Sequence, residues 1–195
     1  MSTDTDPTLE FVRESLARRM RTMFSLYYDA VDTMNLEQVN HVDQPGRLPI
    51  AFCLFHYANL HDGSFMLITG EPPIWNDEWN ARVQPAIPAH GKDEPVEDMS
   101  KQQIGDYDGF KDYQRAVFSR TQAHLDLMDP GDLVRVVIPK PYPPQVAETY
   151  SARCAGDVGI TVLDAFECWH YQHGLRHMGE IELARGFLGL SGMTA

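Results

Sequence analysis

The chain has 195 residues, 43% of them hydrophobic, and a net charge of -12. That length suffices for one domain with a substantial core, and the acidity argues against nucleic acid or an anionic membrane surface as partner, because both need clustered basic side chains. No apolar run is long enough to span a bilayer, no signal peptide is expected from the acidic opening Met1–Asp6, and three cysteines without paired spacing (Cys53, Cys154, Cys168) point to a reducing cytoplasm.

Asp6-Pro7 is a helix start: the aspartate caps free amides and proline is tolerated at the first helical position. Leu9, Val12, Leu16, Met20, Met23, Tyr27, Val31 and Met34 then recur at steps of three or four, which predicts a helix over about 7–36 with one buried stripe. Arg13, Arg18, Arg19 and Arg21 fall mostly on its other faces and read as a solvated surface. Gln44-Pro45-Gly46 breaks the chain. A second helix is predicted over 48–69. It is apolar on most sides and therefore buried, with His56 in its middle and His61 on another, exposed face.

A long irregular loop is expected over 70–106, rich in proline and acid. Trp75 and Trp79 are too apolar for a solvated loop and are expected to fold back on the helices, whereas His90 reads as solvated. A third helix, over 107–128, carries Phe110, Tyr113, Val117 and Thr121 at helical spacing. His124 lies near its C-terminus, where a protonated imidazole suits the helix dipole. Leu133–Ile138 reads as a short extended segment, followed by a proline-broken link. Thr161 with Asp164 has the spacing of a capping box and opens a fourth helix over 161–188. Four long helices with long, irregular connections make an all-α bundle, one domain over 1–195. No glycine-rich phosphate loop, serine nucleophile elbow or zinc-finger cysteine spacing is present.

The fourth helix concentrates three of the eight histidines: Cys168-Trp169-His170-Tyr171-Gln172-His173-Gly174-Leu175-Arg176-His177. His173 and His177 are one turn apart and can aim their nitrogens at one point, as a transition metal requires. His170, a turn before His173, is a rival for either position. Cys168 reads as a small buried residue. A metal site needs a third ligand from elsewhere. Taken alone, His56 reads as a core histidine bonded to a backbone carbonyl. With His173 and His177 also available, metal ligation accounts better for a histidine in so apolar a run, since a metal and one acceptor satisfy both ring nitrogens. Glu167 and Asp164 could orient ligands, but a solvated face explains them equally.

The segment from Leu48 to His56, then Asp62 and Gly70-Glu71-Pro72-Pro73-Ile74-Trp75, resembles the second helix and following loop of DinB-like proteins. The segment His173 to Gly192 resembles that family's last helix. His61 is a departure, standing where many relatives carry an acid. The resemblance implies a DinB-like four-helix bundle, often a homodimer. One divalent metal (zinc, nickel, manganese or iron) would be bound by the residues matching the family's ligands, His56, His173 and His177. It further implies an enzyme acting on a small electrophilic substrate, a thiol S-transferase using a low-molecular-weight thiol or a related hydrolase or isomerase. The alternative from a different class is a non-catalytic metal- or small-ligand-binding bundle whose metal is structural.

Overall fold

The computed structural model describes residues 6–193 apart from 43, 45, 92 and 93, so the opening residues before Asp6 and the proline of the Gln44–Gly46 break lie outside the described residues. The fold is mainly helical with one small sheet. Helix α1 (Pro7–Asp32) is capped by the Asp6 carboxylate, which accepts from the Thr8 amide. It stops short of residue 36 because Thr33 closes it, and Asn35 then caps a separate short helix, α2 (Leu36–Asn40), through a reciprocal capping box with Gln38. Helix α3 (Ile50–Thr69) is buried along almost its whole length and ends on Gly70 in the left-handed conformation.

The connection expected to be irregular over 70–106 contains two short helices, α4 (Asp77–Val83) and α5 (Val96–Met99). It is tied down by polar groups. Asp62, fully buried on α3, accepts from the Ile74 and Trp75 amides, from Tyr113 Oη at 3.1 Å and from Arg120 at 2.5 Å. Trp75 then packs edge-on against Phe55 and Tyr113, and Trp79 against Tyr113. Further on, Asn40 exchanges two side-chain hydrogen bonds with the Ile104 backbone, and the buried Gln102 does the same with Ile87.

Helix α6 (Tyr107–Leu127) follows, packed on α1, α3 and α4. The segment expected to be extended over 133–138 divides. A 3-10 turn covers Pro130–Val134, and strand β1 (Val136–Pro139) begins after it. Two short helices, α7 (Pro144–Ala147) and α8 (Tyr150–Cys154), fill the link to β2 (Gly159–Thr161). β2 pairs antiparallel with β1, with Val136 opposite Thr161 and Pro139 opposite Gly159. Gly159 has φ +131, and a Cβ there would collide with the Ile138 carbonyl, so no other residue fits this close pairing.

Strand β2 runs directly into the last helical stretch. The Thr161–Asp164 capping box starts α9 (Val162–Ala165), a π-helical segment spans Phe166–Gln172, and α10 (His173–Phe187) continues without a break in direction. α10 lies along α3. Its close approach to α1 and α3 depends on Gly174, where a Cβ would meet Met23 Sδ and would lie 2.7 Å from Tyr57 Oη. Two tyrosines clamp this point: Tyr27 Oη donates to the Gly174 carbonyl at 2.8 Å and Tyr57 Oη to the His170 carbonyl at 3.1 Å. No helix among the described residues is long and apolar enough to cross a membrane.

Candidate metal centre

α3 and α10 bring His56, His173 and His177 together. One ring nitrogen of each lies within 4.8 Å of the others. His173 Nε2 is 3.3 Å from His56 Nε2 and 2.9 Å from His177 Nε2. The opposite side of two of the rings is committed. His56 Nδ1 is 2.5 Å from the His90 carbonyl oxygen, so it carries the proton and donates. His177 Nδ1 donates to Glu180 Oε2 at 2.6 Å.

The partners of His56 and His177 fix their tautomers. With those two protons on the outer nitrogens, the Nε2 lone pairs of His56 and His177 both face His173 Nε2, and the three converging nitrogens match the donor set of a divalent cation. Nor are His56 and His173 charged near neutral pH, because burial pushes His56 down to about 4 and His173 down to about 2, and neighbouring histidines push the same way. The groups present could hold a metal ion.

Glu180 was not singled out in the sequence, yet it is the acid nearest this cluster. Its carboxylate is held below its ordinary range, chiefly by the hydrogen bond from His177. It also accepts from Cys53 Sγ at 3.4 Å, and that thiol is pushed up by burial and by the carboxylate. The signal available was spacing: Glu180 lies three residues after His177, on the same helix face. The His90 carbonyl carried no such signal. It reaches His56 only because the 70–106 connection folds back, which leaves His90 half-buried while Pro88 and Ala89 beside it are exposed.

The two acids considered as orienting groups are engaged elsewhere. Glu167 pairs with Arg19 at 2.5 Å, and Asp164 is consumed by the cap at Thr161.

The remaining histidines take other places. His170 does not compete for the cluster. In the π-helical segment each turn takes more residues, so His170 is rotated away from the face of His173 and His177. It is fully buried and stacks on His61 with ring centroids 3.8 Å apart. Its Nε2 is 3.0 Å from Ser64 Oγ. His61, expected on an exposed face, is fully buried. Its two ring nitrogens meet Tyr57 Oη at 3.2 Å and Thr121 Oγ1 at 2.8 Å. A helix that is enclosed on nearly all sides has no exposed face at that position to offer. Burial holds both rings neutral, His170 at about 3. His124 lies in the last turn of α6, as its position in the sequence predicts, half-buried against Phe65 and Phe166, and that burial lowers its pKa. Cys168 is buried, as its apolar setting suggested.

No family model matches the chain, and no curated protein matches it. Among solved structures, a conserved protein of Enterococcus faecalis is similar to it, with a TM-score of 0.71 over 90% of this chain and 96% of that one at 16% identity. At that identity the likeness concerns the fold.

Proposed function

We propose that the chain is a divalent-metal-dependent enzyme of the DinB-like superfamily, with His56, His173 and His177 as the ligands. The observation that carries this reading is the convergence of three Nε2 atoms, with the opposite ring nitrogens of His56 and His177 engaged by other groups. Three protein ligands leave coordination positions free, the pattern of catalytic rather than structural sites. A metal bound there supplies Lewis acidity, lowering the pKa of a thiol or water at its open side.

The chain's own residues do the rest. The His90 carbonyl and the Glu180 carboxylate hold the His56 and His177 rings in the tautomer that leaves Nε2 free to bind. Burial keeps His56 and His173 unprotonated near neutral pH, so protons compete weakly for the site. The reaction class consistent with this is transfer of a low-molecular-weight thiol to a small electrophile, or the corresponding hydrolysis.

The test is elemental analysis of the untagged protein beside H56A and an H173A/H177A double variant. About one metal per chain in the parent and almost none in the variants is expected. Metal retained in the H56A protein would overturn the assignment. A non-catalytic site would show metal-dependent melting with no metal-dependent consumption of thiol in the presence of an electrophile.

A further inference from the structure

Two pairs of metal-binding side chains meet where α10 lies along α3. Cys53 and His56 are three residues apart on α3, and His177 and Glu180 are three residues apart on α10. Residues at that spacing share a helix face, so each helix presents two donors in line. Two-metal centres of helical bundles use such pairs from facing helices. The His56 end belongs to the cluster with His173. The Cys53 end forms a second group, in which one ligand atom each of Cys53, His177 and Glu180 lies within 4.8 Å of the others. His177 belongs to both groups and turns a different nitrogen to each. Its Nε2 is 2.9 Å from His173 Nε2, and its Nδ1 is 2.6 Å from Glu180 Oε2.

The second group is close to what a tetrahedral cation needs. With bonds of about 2.3 Å to sulfur and about 2.0–2.2 Å to nitrogen and oxygen, neighbouring donors lie about 3.4–3.6 Å apart. Cys53 Sγ is already 3.4 Å from Glu180 Oε2. His177 Nδ1 and Oε2 are closer because a proton joins them, and a cation in its place asks for an opening of about 0.8 Å. The position can be reached from solvent. Cys53 and Glu180 both line a cavity of about 370 Å³ between the first turns of α3 and the last turns of α10. The Cys53 thiol is buried and Glu180 is exposed, so the protein closes one side of the position and leaves the other open.

We infer that Cys53 Sγ, His177 Nδ1 and the Glu180 carboxylate hold a second divalent cation, with His177 bridging it to the ion of the three-histidine cluster. Sulfur in the donor set selects a thiophilic ion such as zinc, cadmium or cobalt(II) over magnesium or calcium. Binding displaces the Cys53 thiol proton and the His177 Nδ1 proton to solvent, so that a thiolate, a carboxylate and an imidazolate face the ion. Because two protons must leave, this position binds more weakly than the histidine cluster. It fills only when the cation is supplied in excess, and the protein as isolated holds the first ion alone. The bridge rests on the metal-centre reading. The cysteine-containing position itself does not: with the first position empty, the Nδ1 proton moves to Nε2 and only the thiol proton is released.

The experiment is titration of the chelated chain with excess cadmium, read by the ultraviolet thiolate-to-cadmium charge-transfer band and by the metal retained at equilibrium dialysis. Cys154 and Cys168 are replaced by serine throughout, which leaves Cys53 as the sole thiol able to give the band. The C154S/C168S protein should hold about two ions per chain and show the band. Adding C53S should remove the band and one ion. Adding H56A instead should remove one ion and keep the band, and adding H177A should abolish the band. Melts of the metal-free proteins check the fold. Should the serine pair not fold, dialysis of the chain with its natural cysteines, beside C53S alone, reads the same loss of one ion, and equal counts overturn the inference. A single ion without the band in the C154S/C168S protein, or a band that survives H177A, also overturns it. A band with a single ion, unchanged by H56A, refutes the three-histidine centre and leaves the cysteine site standing without its neighbour.

Discussion

Glu180 offers a direct measurement of how the metal cluster is supported. Of the two groups that fix imidazoles of the cluster, one is the backbone carbonyl of His90, which no substitution removes. Glu180 is the side chain among them. Its Oε2 accepts from His177 at 2.6 Å and from Cys53 at 3.4 Å. In the E180Q protein the amide oxygen still accepts from His177, so the ring stays oriented, but the negative charge that strengthens the ligand is gone. Losses on removing such outer partners run about 10–100-fold in metal affinity. The glutamine variant should sit at the lower end, about tenfold or 1.4 kcal/mol. The E180A variant frees the ring to rotate and lets Nδ1 lose its proton acceptor, so it should approach about a hundredfold. The assay is competition for zinc against a chromophoric chelator at pH 7. Each variant is melted in its metal-free form to confirm an intact fold. An E180A protein that binds zinc as tightly as the parent would show that His177 is not a ligand or that its tautomer is not set by Glu180. In either case the geometric reasoning fails.

Other outcomes follow from the packing and the buried polar groups. Gly174→Ala should lower stability by about 1–3 kcal/mol despite the higher helix propensity of alanine, because its Cβ meets Met23 Sδ and Tyr57 Oη; an unchanged urea midpoint would contradict this. Asp62→Ala strands an arginine, a tyrosine hydroxyl and two amides, three of them bonded within about 3 Å, and should cost about 3–5 kcal/mol in a urea titration. Acidification should weaken the metal-free protein well before carboxylates titrate. His56, His170 and His173 have native pKa values of about 4, 3 and 2, below the 6.5 of the unfolded chain, so the unfolded state takes up protons first as pH falls. Stability is therefore full above pH 6.5 and declines below it, each group contributing up to about 1.4 kcal/mol per pH unit. A urea midpoint that stays constant from pH 7 to pH 5 would refute the neutral burial of these rings.

Much of the helical layout is readable from periodicity, because α1, α3 and α6 bury stripes or whole surfaces at a spacing of three to four. The capping residues Asp6 and Thr161 fix starts to within a residue. The closeness of His56 to His173 and His177 could be suspected from an imidazole inside an apolar run. What periodicity could not supply is any contact made by folding back across the chain. The His90 carbonyl, the Asp62 anchor beneath Trp75 and the full enclosure of His61 all depend on how the 70–106 connection and α6 close over α3. The separation of His170 from the other two histidines depends on a change of helix type within one continuous element, and residue spacing assumes that type in advance.

That change of helix type has a consequence for how the chain tolerates insertions and deletions. The widened turn between Phe166 and Gln172 acts as a spacer of fractional length. It lets the network around His61 and the cluster around His56 draw on one helix while each meets its own side chain at its own angle. Deleting a residue before His170 would restore ordinary winding, but either the His170 stack or the Thr161 start would then be out of phase with α10. Point substitutions in this stretch are local events. Changes in its length are not, because they trade the alignment of one histidine set against the other.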